Sequence, residues 1–510
     1  MRSFPPAANP DHRSSEPEVP SAEAAAAQFS AMRCHLASKD ALAAEHAEIE
    51  IYLWTQGMEL LRLLYQDHFD LRSVREPRRQ DVTDAEGQRH RSVETEHCRD
   101  LESRFGTVVV SRLAYRHKGS DNLHPADAAA NLPAERYSHG LRELAAIEAA
   151  RGSFGEAKEA IGRASAAKVP KRQVEELAQT ASVDFDAFFS ARTAPVADKD
   201  QVVVISADGK GIVMRPEGLR DATAAKAARS DNKLEGRLSP GEKANRKRMA
   251  EVGAVYTVTP IPRTPQDVMA HRGGGPPKQA PRATDKWLTA SVVEDTASVI
   301  ATVFDEAERR DPDHSHAWVG LVDGNKHQID RLEAEAEARK IDLHIFVDWI
   351  HVLEYIWSSA WSFFDHGDPA AEDWVGEKAF EVLSGRAALV AAAIRRKATT
   401  LHLTDTQRKN ADTAADYLLA KAPYLHYPTA LAKGWPIATG VIEGAVRFVV
   451  KDRMDLTGCR WGLDGSEAVL KLRALRANGC WTQYWQFHRT QERQRVHESR
   501  YINGVLPTAA

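Results

Sequence analysis

Apolar residues recur at helical spacing near both ends of the chain and in short strand-like runs through its middle. Residues 22–71 carry a helical pattern with Ile49, Ile51, Leu53, Leu60, Leu61, Leu63 and Leu64 as members. Residues 107–115 alternate as a strand does and predict a small β-insert before Pro125 and Pro133. Residues 153–178 read as helix, short turn, helix. Ala157, Ala160 and Ile161 line one apolar face, Val174, Leu177 and Ala178 the next, and Pro170 opens the second helix, where a missing N–H costs least. Strands are expected near 202–205, 251–259, 287–293, 317–322 and 343–347, with helices over 296–309 and 328–340 between the later ones. Residues 352–430 are helical and rich in aromatics, which read as core. After the break at Trp435-Pro436, Thr439 can N-cap a helix whose Glu443, Arg447 and Lys451 share a face at i, i+4 and i+8. Ile442, Val446, Val449 and Val450 of that helix turn to the core.

Composition narrows the class. A chain of 510 residues accommodates about two to four domains. Its formal charge of −4 gives no global attraction for polyanions, so nucleic-acid binding has to come from local patches. Such patches exist. Lys168, Lys171, Arg172 and Gln173 crowd the start of the second helix of the 153–178 pair, where a recognition helix meets DNA. Lys243, Arg246, Lys247 and Arg248 cluster, and residues 447–500 hold eleven Lys and Arg against six Asp and Glu, with Trp461, Trp481 and Trp485 interleaved. The charged stretch 72–103 reads as a solvated connector, with a DNA-facing segment as the alternative. Four cysteines without a CxxC pair indicate neither a zinc knuckle nor a disulfide framework. No apolar run approaches about 18 residues and the N-terminus lacks a signal-like core, so a cytoplasmic protein without membrane segments is expected.

The chemistry is carried by acids. The run Val202 to Ile205 leads to Asp208, followed by Gly209 and Gly211, and the run 317–322 delivers Asp323 to Gly324. A turn Asp closing each strand is the plainer reading. With Glu443, however, these acids form an ordered set on separate elements of one mixed five-stranded sheet, in the element order of an RNase H-like fold. Phosphodiester chemistry uses such carboxylates to hold two divalent ions about 3.5–4 Å apart, and Mg²⁺ takes oxygen ligands. Asp348 also ends a strand and rivals Asp323 as the second acid.

These motifs resemble a family. Ser206-Ala-Asp-Gly-Lys-Gly211, Leu321-Val-Asp-Gly-Asn325, Asp348-Trp-Ile-His351, Gly440-Val-Ile-Glu-Gly-Ala445 and Gly458-Cys-Arg-Trp461, in this order, are similar to those of DDE transposases of bacterial insertion sequences, most like the ISKra group and related to Mutator-type enzymes. The resemblance implies that Asp208, Asp323 and Glu443 hold two Mg²⁺ (or Mn²⁺), with Asp348 and His351 supporting them. It implies water attack at an element end, then attack of the freed 3′-OH on target DNA. Lys168, Lys171, Arg172, Gln173, Arg447, Lys451, Arg460 and Trp461 are the expected DNA contacts. Double-stranded DNA, as terminal inverted repeats and target, is the expected partner of a homodimer or higher oligomer at the bacterial nucleoid. A catalytically inactive, DNA-binding derivative is the alternative.

The expected organisation is a disordered segment at 1–20, a helical region with β-insert at 21–135 and a helix-turn-helix-like region at 136–195. An α/β RNase H-like core follows at 196–351, then an all-α insertion at 352–432, the Glu helix and C-terminal helices of the core at 433–490, and a tail at 491–510.

Overall fold

Two stretches of the chain bury their apolar residues separately. In the computed structural model, which describes residues 22–229, 246–269, 279–456 and 458–507, one compact unit comprises Met1–Asp184 with Trp485–Ala510, and the other Phe185–Tyr484. The expected 1–20 segment, the Gly273–Pro277 loop and Lys243 lie outside the described residues. Among the described residues, no helix is long and apolar enough to cross a membrane.

The terminal unit begins with helices α1 (Ala22–Leu36), α2 (Lys39–Ala43) and α3 (His46–Val74). Strands β1 (Ser92–Ser103) and β2 (Gly106–Arg116) follow as an antiparallel hairpin, with Gly106 at φ +112° beside its turn. The connector expected over 72–103 is therefore strand over its last part, Ser92–Ser103. The inward β1 positions Val93, His97, Arg99 and Leu101 are part-buried or buried, but two of them are polar, so no clear apolar alternation marks the strand. In β2 the alternate residues Val108, Val110, Arg112 and Ala114 are buried, and Arg112 is neutralised by Asp127 at 3.0 Å.

Next come α4 (Pro125–Ala130), α5 (His139–Arg151), α6 (Phe154–Ala164) and α7 (Lys171–Ser182). A capping box starts α6: Ser153 Oγ accepts from Glu156 N, and Ser153 N donates to Glu156 Oε2. Val174, Leu177, Ala178 and Ala181 bury one stripe of α7. Residues 485–507 finish the unit. His497 Nε2 lies 2.7 Å from the Leu132 carbonyl and Tyr501 bridges Asp84. The tail is thus part of this fold.

Buried histidines are expected to make this unit acid-labile. Burial, with Arg112 and His97 nearby, pushes His124 down to about 3, and burial beside Arg142 pushes His139 down to about 4. The unfolded groups titrate near 6.5. Below that pH the unfolded chain takes up protons the folded one refuses, so stability present above pH 6.5 falls as pH drops toward 4. Thermal melts from pH 7 to 4 are expected to show this loss, and the His124→Gln/His139→Gln variant a shallower one; equal slopes would refute the assignment.

The inserted unit is organised on a sheet of order β5-β4-β3-β6-β7. Its strands are β3 (Val202–Val213), β4 (Lys247–Val258), β5 (Ala283–Ser291), β6 (Trp318–Val322) and β7 (Leu343–Val347). β3, β4 and β5 pair antiparallel, whereas β3, β6 and β7 pair parallel. Helix α8 (Phe185–Ala191) opens the unit, its Phe189 ring 5.8 Å from that of Trp287 in β5. That contact draws α8 out of the region expected to run to residue 195.

One face of the sheet carries α9 (Thr296–Arg310), packed so closely that a Cβ at Gly253 would come within 2.4 Å of Val303. The connection between β6 and β7 is α10 (Lys326–Arg339). The other face buries Val202, Val204, Tyr256, Val319, Leu321 and Phe346 against helices from residues 349–432. These are α11 (Trp349–Ala360), α12 (Pro369–Leu383), α13 (Ala387–Thr400), α14 (Asp405–Ala420) and α15 (Tyr427–Ala432). Trp349, Trp357, Phe363, Phe364 and Trp374 pack in or against that core.

A short helix α16 (Gly440–Ala445), a π-helical stretch Val446–Lys451 and α17 (Leu463–Ala477) close the unit. The free edge of β5 is covered by side chains. Asn478 accepts from Leu288 N at 2.7 Å and donates to its carbonyl at 2.8 Å, and Glu467 accepts from Val292 N at 2.8 Å.

Candidate active site

Sheet register brings the acids together. β3 and β6 run parallel with Ser206 opposite Leu321, and the Ser206 hydroxyl donates to the Leu321 carbonyl at 2.6 Å. Two residues further along each strand stand Asp208 and Asp323. β6 and β7 pair Val322 with Val347, so Asp323 and Asp348 follow side by side. Three carboxylates therefore leave three adjacent parallel strands on one level of the sheet. That is where chains of an open α/β sheet present functional groups.

Local hydrogen bonds orient each one. Asp208 Oδ1 accepts from Gly209 N at 2.6 Å, and Asp323 Oδ1 from Asn325 N at 2.7 Å. The second oxygen of each makes no hydrogen bond among the described residues. Gly324 sits at φ +93°, and a Cβ there would lie 2.6 Å from the Tyr417 hydroxyl, which donates to the Asp323 carbonyl. Asp348 is fully buried and N-caps α11 through Ile350 N at 2.8 Å. Its Oδ2 lies 3.3 Å from His351 Nδ1 and also accepts from the Thr439 hydroxyl.

Glu443 approaches from α16. Its Oε1 is 3.2 Å from Thr439 Oγ1 and 4.0 Å from His351 Nδ1. Ligand-capable atoms of Asp348, His351 and Glu443 all lie within 4.8 Å of one another.

The charges explain the titration. Burial, and then the neighbouring Asp323, push Asp208 up, while His351 and Lys451 oppose the shift. Burial and the adjacent Asp348 push Glu443 up as well. Burial also works to raise Asp348, but hydrogen bonds from His351, Thr439 and Ile350 outweigh it and hold that carboxyl below its ordinary range. The bond to Asp348, aided by its charge, lifts His351 to about 9, so the imidazole is cationic at neutral pH. The result is a cluster of carboxylates with one fixed cation and two oxygens unspent. Such a set suits a hard cation.

Sequence expectations meet this geometry unevenly. Asp348, His351 and Glu443 come within ligand reach of one another, whereas Asp208, Asp323 and Glu443 form no such group among the described residues; Asp208 and Asp323 act on each other and on His351 electrostatically. Thr439 stands at the N-cap position but makes no capping bond with its side chain; that hydroxyl instead bridges Asp348 and Glu443. The single α-helical face expected for Glu443, Arg447 and Lys451 is interrupted, because the π-helical turn at Val446–Lys451 widens the repeat beyond four residues. Arg447 and Arg460 are exposed, and exposed Lys451 is close enough to influence Asp208.

Trp461 is a correction. It is 4% exposed, its indole N–H donates to the Met454 carbonyl at 3.0 Å, and its backbone pairs with Val213 and Arg215 at the end of β3. It anchors that strand and has no face for DNA. Trp485 is likewise buried. Lys168, Lys171 and Arg172 lie exposed at the start of α7 in the terminal unit, and Gln173 is half-buried against Glu176.

Glu251 was not anticipated. It is 7% exposed within β4, opposite Gly209. Its Oε1 accepts from Thr296 at 3.0 Å, and a Cβ at Gly209 would meet its Oε2 at 2.8 Å. The sequence suggested a strand beginning at Glu251; the strand begins four residues earlier, which carries this acid into the interior. No protein-family model matches the chain, and no curated protein matches it.

Proposed function

We propose that the protein is a DNA transposase that cleaves and joins strands by metal-dependent phosphodiester hydrolysis and transesterification. One observation carries this reading: the parallel register that sets Asp208 beside Asp323, with Glu443 arriving through the Asp348–His351–Thr439 cluster. The strand order, with three antiparallel and three parallel members sharing β3, is compatible with an RNase H-like core.

Asp323 is preferred over Asp348 as the second ligand. Asp348 spends both oxygens on Ile350, Thr439 and His351, whereas Asp208 and Asp323 each keep one unengaged. Asp208, Asp323 and Glu443 would together hold two Mg²⁺ or Mn²⁺ ions. When bound, such ions supply the Lewis acidity that phosphodiester chemistry uses. Asp348 and Thr439 hold Glu443 in position, and cationic His351 offsets the crowding of negative charge.

DNA is the partner this reading requires. The exposed Lys168, Lys171 and Arg172 at the start of α7 are suited to phosphates. Replacing all three by Ala is expected to weaken duplex binding for every sequence and to flatten the salt dependence by about 0.9 per lost contact. An unchanged salt slope would exclude this helix.

The decisive experiment offers the protein, with and without Mg²⁺, a duplex carrying the DNA that flanks its coding sequence. Metal-dependent nicking at a defined end supports the proposal. Binding without nicking favours an inactive derivative, and neither binding nor nicking overturns it.

A further inference from the structure

Helix α3 is 29 residues long, roughly 44 Å, yet Phe69 is its one buried residue. Part of its surface is used. Gln28 of α1 bonds Gln56 at 2.9 Å and the His35 ring lies tilted 4.0 Å from that of Tyr52, so α1 covers the face bearing residues 52 and 56. Further along, Gln66 exchanges hydrogen bonds with the Val109 backbone of β2.

A different face stays open. Trp54 is 50% exposed, Leu61 42% and Leu64 50%, with Ile51 at 67% and Leu53 at 42% beside them. Residues 50, 54, 57, 61, 64 and 68 alternate steps of four and three, the spacing of a coiled-coil seam. Gly57 lies on this seam, and a Cβ added there meets nothing within 4 Å. A helix-interior glycine costs about 1 kcal/mol relative to alanine, and no contact among the described residues requires one here. A second helix approaching closely would.

We propose that this face is a dimer seam occupied by α3 of a second copy, in antiparallel register. The seam is self-complementary in that direction. Glu50 then meets the partner's His68, Trp54 the partner's Leu64, and Gly57 the partner's Leu61. A parallel pair would instead set Glu50 against Glu50 and leave a void between two glycines. The opposed layers match in charge and in size only when antiparallel, and a contiguous apolar patch of this kind is rare on monomers. The inference rests on the helical face alone and stands apart from the DNA chemistry.

Light scattering of the full chain is expected to give twice its 56.4 kDa mass, and the Leu61→Glu/Leu64→Glu variant the single mass with unchanged helicity. Glu50→Lys should weaken the dimer and His68→Glu added to it restore affinity. Register is read by disulfide trapping, with the exposed Cys34 and Cys98 first replaced by Ser. A mixture of Gly57→Cys and Leu61→Cys proteins should cross-link, and neither alone, since like positions stand beyond the 7 Å limit. A monomeric wild type, a dimer indifferent to the Leu61→Glu/Leu64→Glu change, or cross-linking of Leu61→Cys with itself would each overturn the proposal.

Discussion

Asp208→Asn is expected to lower metal-dependent strand cleavage by at least about 10³-fold, a barrier increase of about 4 kcal/mol, while duplex binding is retained. Asparagine keeps an oxygen for the Gly209 N–H and nearly the same volume, so the strand persists. What disappears is a negative charge held beside Asp323. The same loss relieves a cost, because burial and Asp323 both disfavour the ionised Asp208. In metal-free buffer the variant should therefore melt no lower than the parent, and slightly higher if the repulsion is felt; function and stability are opposed at such a site. Nicking measured beside thermal melting separates this from simple misfolding. Cleavage within tenfold of the parent would remove Asp208 from the chemistry.

The largest stability effect is expected at Arg142, which is fully buried in the terminal unit. Its guanidinium contacts Glu135, Glu492 at 3.1 Å and His488 Nε2 at 3.1 Å. An Arg N–H donates to Nε2, so the His488 proton sits on Nδ1 and is given to Asp184 at 2.7 Å. Arg495 completes the network through both Asp184 oxygens and Glu492. Arg142→Met leaves Glu492, itself 3% exposed, with Arg495 as its remaining cationic partner and removes the donor to His488 Nε2, and should cost about 3 kcal/mol in urea unfolding. Replacing both Arg142 and Glu492 by apolar residues should recover part of that, since an uncompensated charge costs more than an absent pair. A loss below about 1 kcal/mol would mean that the network contributes little.

Legibility in the sequence followed the strength of the pattern. The run from Val202 announced β3, because a strand covered on both faces needs apolar residues without interruption. The acids beyond it gained weight only as an ordered set, since a turn Asp closing a strand accounts for each one alone. β1 was invisible, since polar His97 and Arg99 occupy two of its inward positions and blur the apolar alternation. The π-helical turn was hidden too. Val446, Val449 and Val450 are buried in it, and their spacing suits an α-helix equally well. Glu251 and the Thr439 bridge depend on register between distant strands and loops, which no local spacing encodes. Trp461 misled because arginine and tryptophan together suit both a DNA surface and a buried anchor.

The order in which the chain is made bears on how it matures. Asp184 and its partner Arg495 are separated by the whole inserted unit, Phe185–Tyr484. At roughly 5–20 residues per second, a ribosome needs on the order of 15–60 s between the emergence of Asp184 and that of His488. Through that interval Arg142 lacks two of its acceptors, and the first-made helices wait incomplete while the sheet assembles. Nascent chains arrested before residue 485 should accordingly stay protease-sensitive over residues 22–184, although their sheet-bearing portion is already protected.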